Sequence, residues 1–327
     1  MTDKEAAQLI TGAAKGCPKE CGQAYAPVNI ALCKYWGKRD EMLNLPVTSS
    51  LSLSLPELGA TTRISFREGH DQLFLDGVEQ SRDSVSARRV SKYLDLFRPD
   101  RSTFFHVESE STVPIAAGLA SSASGFAALA LALNDLFQWN LGLRDLSILA
   151  RLGSGSAARS IYTGFVLWHA GTREDGMDSF AEPVDGEWPG LCMGLIMVSR
   201  REKAVSSRIA MKRTVDTSAL YRAWPAKVES DLKNLRQAIE KKDFDLLGRT
   251  AESNALAMHA TMMDSQPPVL YWMPETVEEI RKIWRLRDNG LPVYFTMDAG
   301  PNIKMLFMEK DASLIREHFP DMEIALS

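Results

Sequence analysis

Apolar and polar residues alternate most clearly at Ser49–Leu55, which reads Ser-Ser-Leu-Ser-Leu-Ser-Leu. This period of two predicts a β-strand with one buried face. Tyr25–Cys33 is more continuously apolar and predicts a buried strand. Asp76-Gly77 is typical of a tight turn after a strand. Further strands are predicted at 61–66, 72–75, 103–108, 164–169, 191–198, 293–297 and 303–308.

Helical spacing of apolar residues predicts the remaining elements. Phe126–Leu136 is rich in Ala and Leu and contains no Gly or Pro, which favours a helix. Other helices are predicted at 84–97, 143–152, 220–241, 244–262, 274–289 and 314–318. Because strands and helices occur in mixed blocks with hairpins, without strict β–α alternation, the predicted fold class is α+β.

The same pattern suggests a division of the chain into two lobes. Residues 1–22 are small and charged, and we expect a mobile leader with one helical turn near Lys4–Ile10. Residues 23–187 form a mixed lobe and residues 188–327 a helix-rich lobe. A deep central cleft between the lobes would be the natural place for a ligand.

Composition excludes several classes of protein. The 327 residues are 45% hydrophobic and 24% charged, as in globular proteins. A net charge of −4 argues against a nucleic-acid partner. The apolar runs are too short to span a membrane, and no cationic start precedes a long apolar run, so neither a membrane protein nor a secreted one is expected. The expected location is the cytoplasm.

The cysteines and histidines do not form a metal-binding pattern. Cys17 and Cys21 have a spacing that could belong to half a zinc site, but no further Cys or His completes it. We therefore interpret these residues, with Cys33 and Cys192, as reduced thiols of a cytosolic protein. The five histidines are scattered along the chain, so a transition-metal site is not expected.

Small residues dominate the stretch Pro114–Gly125, which opens directly into the helix at Phe126. One interpretation is a phosphate cradle, because the first turn of a helix offers free N–H groups and a positive dipole end to an anion. The alternative is a helix start whose small residues allow close packing against a neighbour. The stretch by itself does not decide between these two interpretations.

Three other stretches favour the phosphate cradle. Lys34–Arg39 combines three cations with two aromatic residues, which indicates a partly buried anion-binding turn more than a solvated loop. Gly153–Arg159 is a second Gly/Ser-rich turn, and Asp298–Asn302 follows a predicted strand. Phosphoryl transfer requires a cradle, cations and a group that orients the attacking hydroxyl. The chain has neither a P-loop nor the motifs of protein kinases.

These residues resemble a known superfamily and one family within it. The Pro114–Ser124 stretch is similar to the phosphate-binding loop of the galactokinase–homoserine kinase–mevalonate kinase–phosphomevalonate kinase (GHMP) superfamily. Seven further motifs, in the right order, resemble the diphosphomevalonate decarboxylases. They are Ala26-Pro-Val-Asn-Ile-Ala, Lys34-Tyr-Trp-Gly-Lys-Arg-Asp40, Leu45-Pro46 with Ser49-Ser-Leu-Ser, Arg151-x-Gly-Ser-Gly-Ser-Ala-x-Arg-Ser160, Val205-Ser-Ser-Arg208 with Met211, Asp264-Ser-x-Pro-Pro268 and Thr296-Met-Asp-Ala-Gly-Pro-Asn302.

The resemblance implies both a fold and a reaction. The fold is the two-lobed GHMP type, with an N-terminal half like domain 2 of ribosomal protein S5 and a ferredoxin-like, helix-rich C-terminal half. The reaction is the ATP-dependent decarboxylation of (R)-5-diphosphomevalonate to isopentenyl diphosphate, the last step of the mevalonate pathway to isoprenoids. Phosphorylation of the C3 hydroxyl precedes loss of phosphate and CO₂. ATP and Mg²⁺ are the implied cofactors, and a homodimer is expected.

The resemblance also assigns roles to residues of this chain. Asp298 would orient or accept the proton of the hydroxyl, Arg159 would hold the substrate carboxylate, and Lys34 would neutralise charge near the reacting oxygen. The residues implied to bind the substrate are Tyr35, Lys38, Ser154, Gly155, Ser156, Ser207, Arg208 and Ala299. Those implied to bind the nucleotide are Asn29, Ala117, Gly118, Leu119, Ala120, Ser121 and Ser122, with Ser122 also near Mg²⁺.

Each assignment has a structural alternative. Asp298 could cap a turn, Arg159 could belong to a structural ion pair, and Lys38 and Arg208 could be solvated cations. His259 is interpreted as a residue that supports the fold. Alternative functions are a GHMP small-molecule kinase similar to a mevalonate 3-kinase, a phosphomevalonate decarboxylase, or a catalytically silent binding protein on the same scaffold.

Overall fold

The computed structural model describes residues 1–14, 16–112, 121–201 and 203–326. Within these ranges the strands are β1 Cys21–Cys33, β2 Lys38–Asp40, β3 Leu45–Pro46, β4 Ser50–Arg67, β5 Gln72–Leu75, β6 Val78–Glu79, β7 Phe104–Ser111, β8 Phe165–Trp168, β9 Ala181–Pro183, β10 Leu191–Ile196, β11 Tyr294–Met297, β12 Ile303–Met308 and β13 Glu323–Leu326. The α-helices are α1 Asp3–Thr11, α2 Val85–Leu94, α3 Ser121–Phe137, α4 Leu143–Gly153, α5 Ser207–Thr217, α6 Trp224–Lys241, α7 Phe244–Met263, α8 Pro274–Asp288 and α9 Ala312–His318. The predicted α+β class is confirmed.

Two main sheets organise the molecule. The first has the order β6-β5-β7-β4-β8-β9, and β1 also pairs with β4. The second has the order β11-β12-β10-β13, and its pairs are antiparallel. Strand β9 belongs to the first sheet and β10 to the second, so the predicted lobe boundary after residue 187 lies between them. The extents of the two lobes, and a cleft between them, stay predictions.

Strand β4 is longer and more deeply buried than its sequence predicted. The separate strands predicted at 49–55 and 61–66 are one 18-residue strand. The prediction of a single buried face is wrong, because Ser50, Ser52 and Ser54 are buried as well as the leucines between them. A 3₁₀ helix, Gly155–Ile161, and the residue after it cover this serine face: Ser50 accepts a hydrogen bond from Arg159, and Ser54 Oγ donates to Tyr162 O at 2.9 Å.

The turn predicted at Asp76-Gly77 is confirmed. It joins β5 to β6, where Leu75 pairs with Val78 in an antiparallel hairpin. Both turn residues have positive φ, 49° at Asp76 and 76° at Gly77. This conformation matches the right-handed twist of the two flanking strands, which explains the Asp-Gly pair.

Helix α1, in the predicted N-terminal leader, packs against other parts of the chain, and the mobility of residues 1–22 stays a prediction. Thr2 caps α1 in a capping box with Glu5, and Ala6 and Ala7 have no exposed area. Further along the segment, Lys19 N donates to Leu136 O at 2.8 Å. The sequence did not indicate this packing, because a short helix with small apolar residues shows little periodicity.

One core cluster of the described residues joins the two sheets through helices. It contains Val28 and Leu53 from the first sheet, Val228 from α6 and Leu247 from α7. Helix α7 packs against both β1 and β11, so it lies between the strands that carry the predicted catalytic residues. None of the helices in the described ranges is long and apolar enough to cross a membrane.

Candidate active site

A buried group of charges lies where β1 and β11 end. Lys34 follows β1, and its Nζ lies 3.0 Å from Asp298 Oδ1 and 2.7 Å from Ala31 O. Asp298 follows β11, and its Oδ2 lies 3.1 Å from Nζ of Lys304, a residue of β12. The two lysine side chains are each 2% exposed and that of Asp298 is 26% exposed. The carboxylate is therefore held between two ammonium groups while one side stays open to a ligand.

The neighbouring charges set the protonation of this group. Burial acts to raise the pKa of Asp298, but Lys304 and Lys34 outweigh burial and hold that pKa well below its usual range. Burial lowers the pKa of Lys34 to about 8, and the attraction of Asp298 only partly offsets this effect. At neutral pH Asp298 is therefore a carboxylate and Lys34 is mainly a cation, so Asp298 can accept a hydrogen bond but is a weak base.

The guanidinium of Arg159 is buried, and the charge of Asp298 acts on its pKa. Its Nε donates to Asn29 Oδ1 at 3.1 Å, Nη1 donates to Ser50 Oγ, and its Cζ lies 5.7 Å from the ring centroid of Trp168. Burial lowers the pKa of Arg159 to about 10, with Asp298 acting in the opposite direction, so the side chain stays charged at neutral pH. Because Asn29 and Ser50 are neutral, these bonds orient the guanidinium without cancelling its charge.

Asn29 has a structural role that the resemblance did not imply. Besides accepting from Arg159, it donates from Nδ2 to Ser160 Oγ at 2.6 Å and to Ser156 O at 3.3 Å. The side chain is buried among these partners. The structure therefore places Asn29 in the network that orients Arg159, while its contact with a nucleotide stays a prediction.

Lys38 is held by Asn44, close to the start of the Gly/Ser-rich turn. Its Nζ donates to Asn44 Oδ1 at 2.6 Å. Asn44 Nδ2 in turn donates to Arg151 O and Leu152 O, each at 3.0 Å, near the C-terminal end of α4. These carbonyls lack partners within the helix, so Asn44 satisfies them and ties Lys38 to the segment that continues into Ser154.

Lys38, Arg89 and Arg208 form a group of cations in which Arg208 acts on the pKa of the other two. Burial lowers the pKa of Lys38 to about 8, and Arg208 is the next cause. Burial also lowers the pKa of Arg89, again with Arg208 as the second cause. Such mutual repulsion is relieved when a polyanion binds among the cations. Arg89 lies on α2 and was missed, because arginines in an amphipathic helix, here Arg88 and Arg89, carry no signal of a binding site by themselves.

Tyr35 packs closely against Gly155 in the site. A Cβ atom at Gly155 would lie 2.8 Å from Tyr35 Oη, so any larger residue would displace the tyrosine. The Tyr35 ring packs edge-on against Trp168 at a centroid distance of 4.8 Å. Within the described ranges Tyr35 Oη is buried and has no hydrogen-bond partner. A buried hydroxyl in this state fits a ligand that supplies an acceptor.

The remaining substrate-binding predictions fall around these residues. Ser154 is the C-cap of α4, and Ser156 is half-buried in the 3₁₀ helix that carries Arg159. Ala299 is buried directly after Asp298. Ser207 begins α5 and is followed by the exposed Arg208, so both lie at a helix N-terminus.

Lys203 is a further cation near Asp298 that sequence reasoning missed. Its Nζ lies 3.4 Å from Ser207 Oγ, and it approaches the turn so closely that a Cβ at Gly300 would lie 3.3 Å from its Cε. Burial lowers the pKa of Lys203, and Asp298 acts against this shift. Lys304 was missed too, although a lysine inside the apolar strand Ile303–Met308 was a signal that could have found it.

The predicted phosphate loop lies largely outside the described residues. Val113–Ala120 are not described, and these include Ala117, Gly118, Leu119 and Ala120; the side chain of Ser121 is not described either. Helix α3 begins at Ser121, its first turn has no acidic residue, and Ser122 is half-buried there. Ala123 and Ser124 have no exposed area, so close packing is present in the second part of the stretch. The phosphate cradle itself stays a prediction.

The fold and the site together define a class of protein, the GHMP-kinase type. Two family models match the chain: a diphosphomevalonate decarboxylase-like N-terminal domain over residues 26–181 and a mevalonate 5-diphosphate decarboxylase C-terminal domain over residues 194–323. The chain belongs to the diphosphomevalonate decarboxylase family.

Individual relatives agree with this placement. The chain is 38% identical to the diphosphomevalonate decarboxylase of Aspergillus fumigatus over 89% of this chain and 77% of the relative. It is similar to the crystal structure of mevalonate diphosphate decarboxylase from Staphylococcus aureus, with a TM-score of 0.88 and 38% identity over 94% of this chain and 95% of the other. The complex of MDDEF with MVAPP, AMPPCP and magnesium gives a TM-score of 0.86 and 43% identity over 94% and 96%.

Proposed function

We propose that this chain catalyses the ATP-dependent decarboxylation of mevalonate 5-diphosphate to isopentenyl diphosphate, releasing ADP, phosphate and CO₂. The observation that carries the proposal is the carboxylate of Asp298, which lies 3.0 Å from Lys34 Nζ and 3.1 Å from Lys304 Nζ. The buried charge of Arg159 lies beside it. The named relatives and the MVAPP complex of MDDEF support the same reaction.

The group of cations formed by Lys38, Arg89 and Arg208 would bind the substrate diphosphate. Lys38, Arg89 and Arg208 supply positive charge, and the buried hydroxyl of Tyr35 supplies a donor. Ser154, Gly155, Ser156 and Ser207 are the further donors that we assign to this end. Charge-assisted hydrogen bonds of this kind are about twice as strong as neutral ones, which favours a diphosphate.

Asp298 would orient the C3 hydroxyl for attack on the γ-phosphorus and would accept its proton as the new O–P bond forms and the bond to ADP breaks. Its lowered pKa makes it a weak base before the reaction. This is sufficient because a loose phosphoryl-transfer transition state requires little negative charge on the attacking oxygen. Lys34 and Lys304 would stabilise the charge that develops around this oxygen. Ala299, the residue after Asp298, would contact the substrate.

Phosphorylation turns the tertiary hydroxyl into a leaving group. The C3–O bond then breaks and its electron pair leaves with phosphate. The bond between C2 and the carboxylate breaks next, and its electrons form the new double bond as CO₂ leaves. Arg159 would hold the carboxylate in line during these steps, because its guanidinium is oriented by Asn29 and Ser50.

ATP and Mg²⁺ are the cofactors of this proposal. We assign the nucleotide phosphates to Ala117–Ser122, where α3 begins, with Asn29 near them and Ser122 next to the metal. Bound Mg²⁺ would neutralise the charge of the transferred phosphoryl group. The absence of acidic residues in the first turn of α3 and the MDDEF complex with AMPPCP and magnesium support this assignment.

A coupled assay tests the proposed reaction. Purified protein is mixed with Mg²⁺, ATP and mevalonate diphosphate labelled at the carboxylate, and ADP and labelled CO₂ are measured. Equal amounts of the two products are expected. ADP without CO₂ would indicate a kinase, neither product would indicate a silent homologue, and faster turnover of the monophosphate would indicate a phosphomevalonate decarboxylase.

We also propose that the enzyme acts in the cytoplasm as a homodimer. All four cysteines are free, which is consistent with a reducing compartment. The family resemblance supports the dimer. Fractionation of cells that express a tagged chain, and sedimentation of the pure protein, test the two statements separately.

A further inference from the structure

Helix α7 contacts both strands that deliver the catalytic charges. The helix spans Phe244–Met263 and packs against β1 and β11. Two of its polar side chains are almost fully buried: Asn254 has no exposed area and His259 is 1% exposed. Both are hydrogen-bonded to the main chain of a predicted catalytic residue.

Asn254 holds the main chain of Lys34. Its Oδ1 accepts a hydrogen bond from Lys34 N at 2.8 Å, and its Nδ2 donates to Asp231 Oδ2 at 2.8 Å. Both oxygens of Asp231 lie 2.6 Å from Lys227 Nζ within α6. Because a carboxylate only accepts hydrogen bonds, the amide nitrogen of Asn254 must face Asp231 and its oxygen must face Lys34. The orientation of Asn254 is therefore determined by an ion pair on the neighbouring helix.

His259 holds the main chain of Asp298. Its Nε2 lies 3.0 Å from Asp298 O, and its ring centroid lies 5.5 Å from that of Trp272. Burial lowers the pKa of His259 to about 4, so the ring is neutral at physiological pH. Since a carbonyl only accepts, the proton of the neutral ring must reside on Nε2. His259 is thus a donor to the main chain of Asp298, with no role in proton transfer.

We propose that α7 sets the spacing between the two catalytic groups, with Asn254 and His259 as positioning residues that tie Lys34 and Asp298 to one helix. This inference rests on the proposed catalytic roles of Lys34 and Asp298. Five helical steps separate the two tethers by roughly 7.5 Å along the axis. The side chains of an ion pair can change rotamer when the main chain shifts, so the ion pair alone does not fix the main chain. The hydrogen bonds from α7, in contrast, act directly on the main chain of Lys34 and Asp298. A displacement of about 1 Å can cost around 100-fold in rate.

Two substitutions at one position test the inference. The amide nitrogen of His259→Gln reaches the place of Nε2, whereas that of His259→Asn reaches only the place of Nδ1. We expect His259→Gln to keep kcat within about threefold of the parent and His259→Asn to lower it at least about tenfold. KM for ATP is expected to be unchanged, and thermal unfolding would verify that both variants are folded. Equal kcat values in the two variants would overturn the inference.

The second tether provides an independent measurement. Asn254→Ala removes the acceptor for Lys34 N, so it is also expected to lower kcat with little effect on KM. If both tethers act by setting the spacing of Lys34 and Asp298, the double variant Asn254→Ala/His259→Asn has a kcat close to that of the slower single variant. Full addition of the two losses would mean that the residues act separately, against the inference. If His259→Asn does not fold, the kcat and KM of Asn254→Ala alone still test the inference, and an unchanged kcat in that variant would overturn it.

One further variant separates this inference from the proposed function. Asp298→Asn at full activity would overturn both. An inactive Asp298→Asn, together with indistinguishable His259→Gln and His259→Asn, would leave the proposed function standing and overturn only the role of α7.

Discussion

Lys34 Nζ lies 3.0 Å from Asp298 Oδ1, although the two residues are 264 positions apart in the chain. One follows a strand of the first sheet and the other follows a strand of the second, so the pair joins the two sheets. Lys304 contacts the other carboxylate oxygen at 3.1 Å. Lys304 is therefore a second cation beside the carboxylate of Asp298. If Lys34 alone were removed, Lys304 would still partly compensate the negative charge of that carboxylate.

Arg159→Lys is expected to lower kcat although the charge is conserved. Lysine has no planar fork, so it cannot donate to Asn29 Oδ1 and Ser50 Oγ while also meeting a carboxylate. The expected loss is about 100-fold or more, the scale of losing one transition-state donor. The measurement is steady-state kinetics with both substrates. Arg144→Lys, where the parent arginine stacks on Phe180 away from the site, is the matched control, and equal losses in the two variants would contradict the prediction.

Substrate affinity is expected to fall as the pH rises through about 8. Lys38 has a pKa lowered to about 8, so it is a cation below that pH and becomes neutral above it, where its attraction for a diphosphate is lost. The charged groups that face it are Arg208, Arg89, Glu41 and Asp40. KM for the substrate, measured from pH 6.5 to 9.5, should rise above pH 8.

Lys38→Arg provides the control for this pH dependence. Arginine remains charged throughout the range, so the rise of KM near pH 8 should disappear. The pH dependence of kcat, to which Lys34 contributes, should stay unchanged in this variant. A rise in KM that persists in Lys38→Arg would assign the titration to another group.

Asn44 is expected to control KM through Lys38. Asn44→Gly removes the acceptor for Lys38 and the donor to two carbonyls at the end of α4. We expect a KM for the substrate raised several-fold, with a kcat near that of the parent. Asn44 has a φ of 52°, so Asn44→Ala should show the same KM and lower stability than Asn44→Gly by about 1–2 kcal/mol. An unchanged KM in both variants would show that Asn44 acts on the fold alone.

His259 is expected to make the folded state less stable as the pH falls from 6.5 to 4. Above pH 6.5 the ring is neutral in both states, whereas below that value the unfolded chain binds a proton that the folded ring excludes until about pH 4. The contribution is roughly 3 kcal/mol across this window. Urea unfolding of the parent and of His259→Gln from pH 4 to 7.5 measures it. The variant should lose less stability, and parallel curves would contradict the prediction.

Much of the fold could be predicted because its signals are local. Periodicity and turn chemistry predicted the limits of β5 and β12 and the turn at Asp76-Gly77. They also predicted the helices that the structure places at Val85–Leu94 and Phe244–Met263, although not their last residues. Helix α5 and strand β13 were not predicted. The serine face of β4 was misjudged for a related reason: alternation indicates which residues share a face, but it does not indicate that a second element covers the polar face.

The sequence by itself determined the family and the candidate residues Lys34, Arg159 and Asp298, because a reaction restricts the residue types in short motifs. Only the tertiary structure decided which other side chains join them. Lys203 and Lys304 join Asp298, Arg208 acts on the pKa of Arg89, and Asn254 and His259 are hydrogen-bonded to the main chain of Lys34 and Asp298. These contacts connect elements far apart in the chain, and their formation depends on how sheets and helices pack. The lowered pKa values of Lys34 and His259 have the same origin, since burial is a property of the assembled molecule.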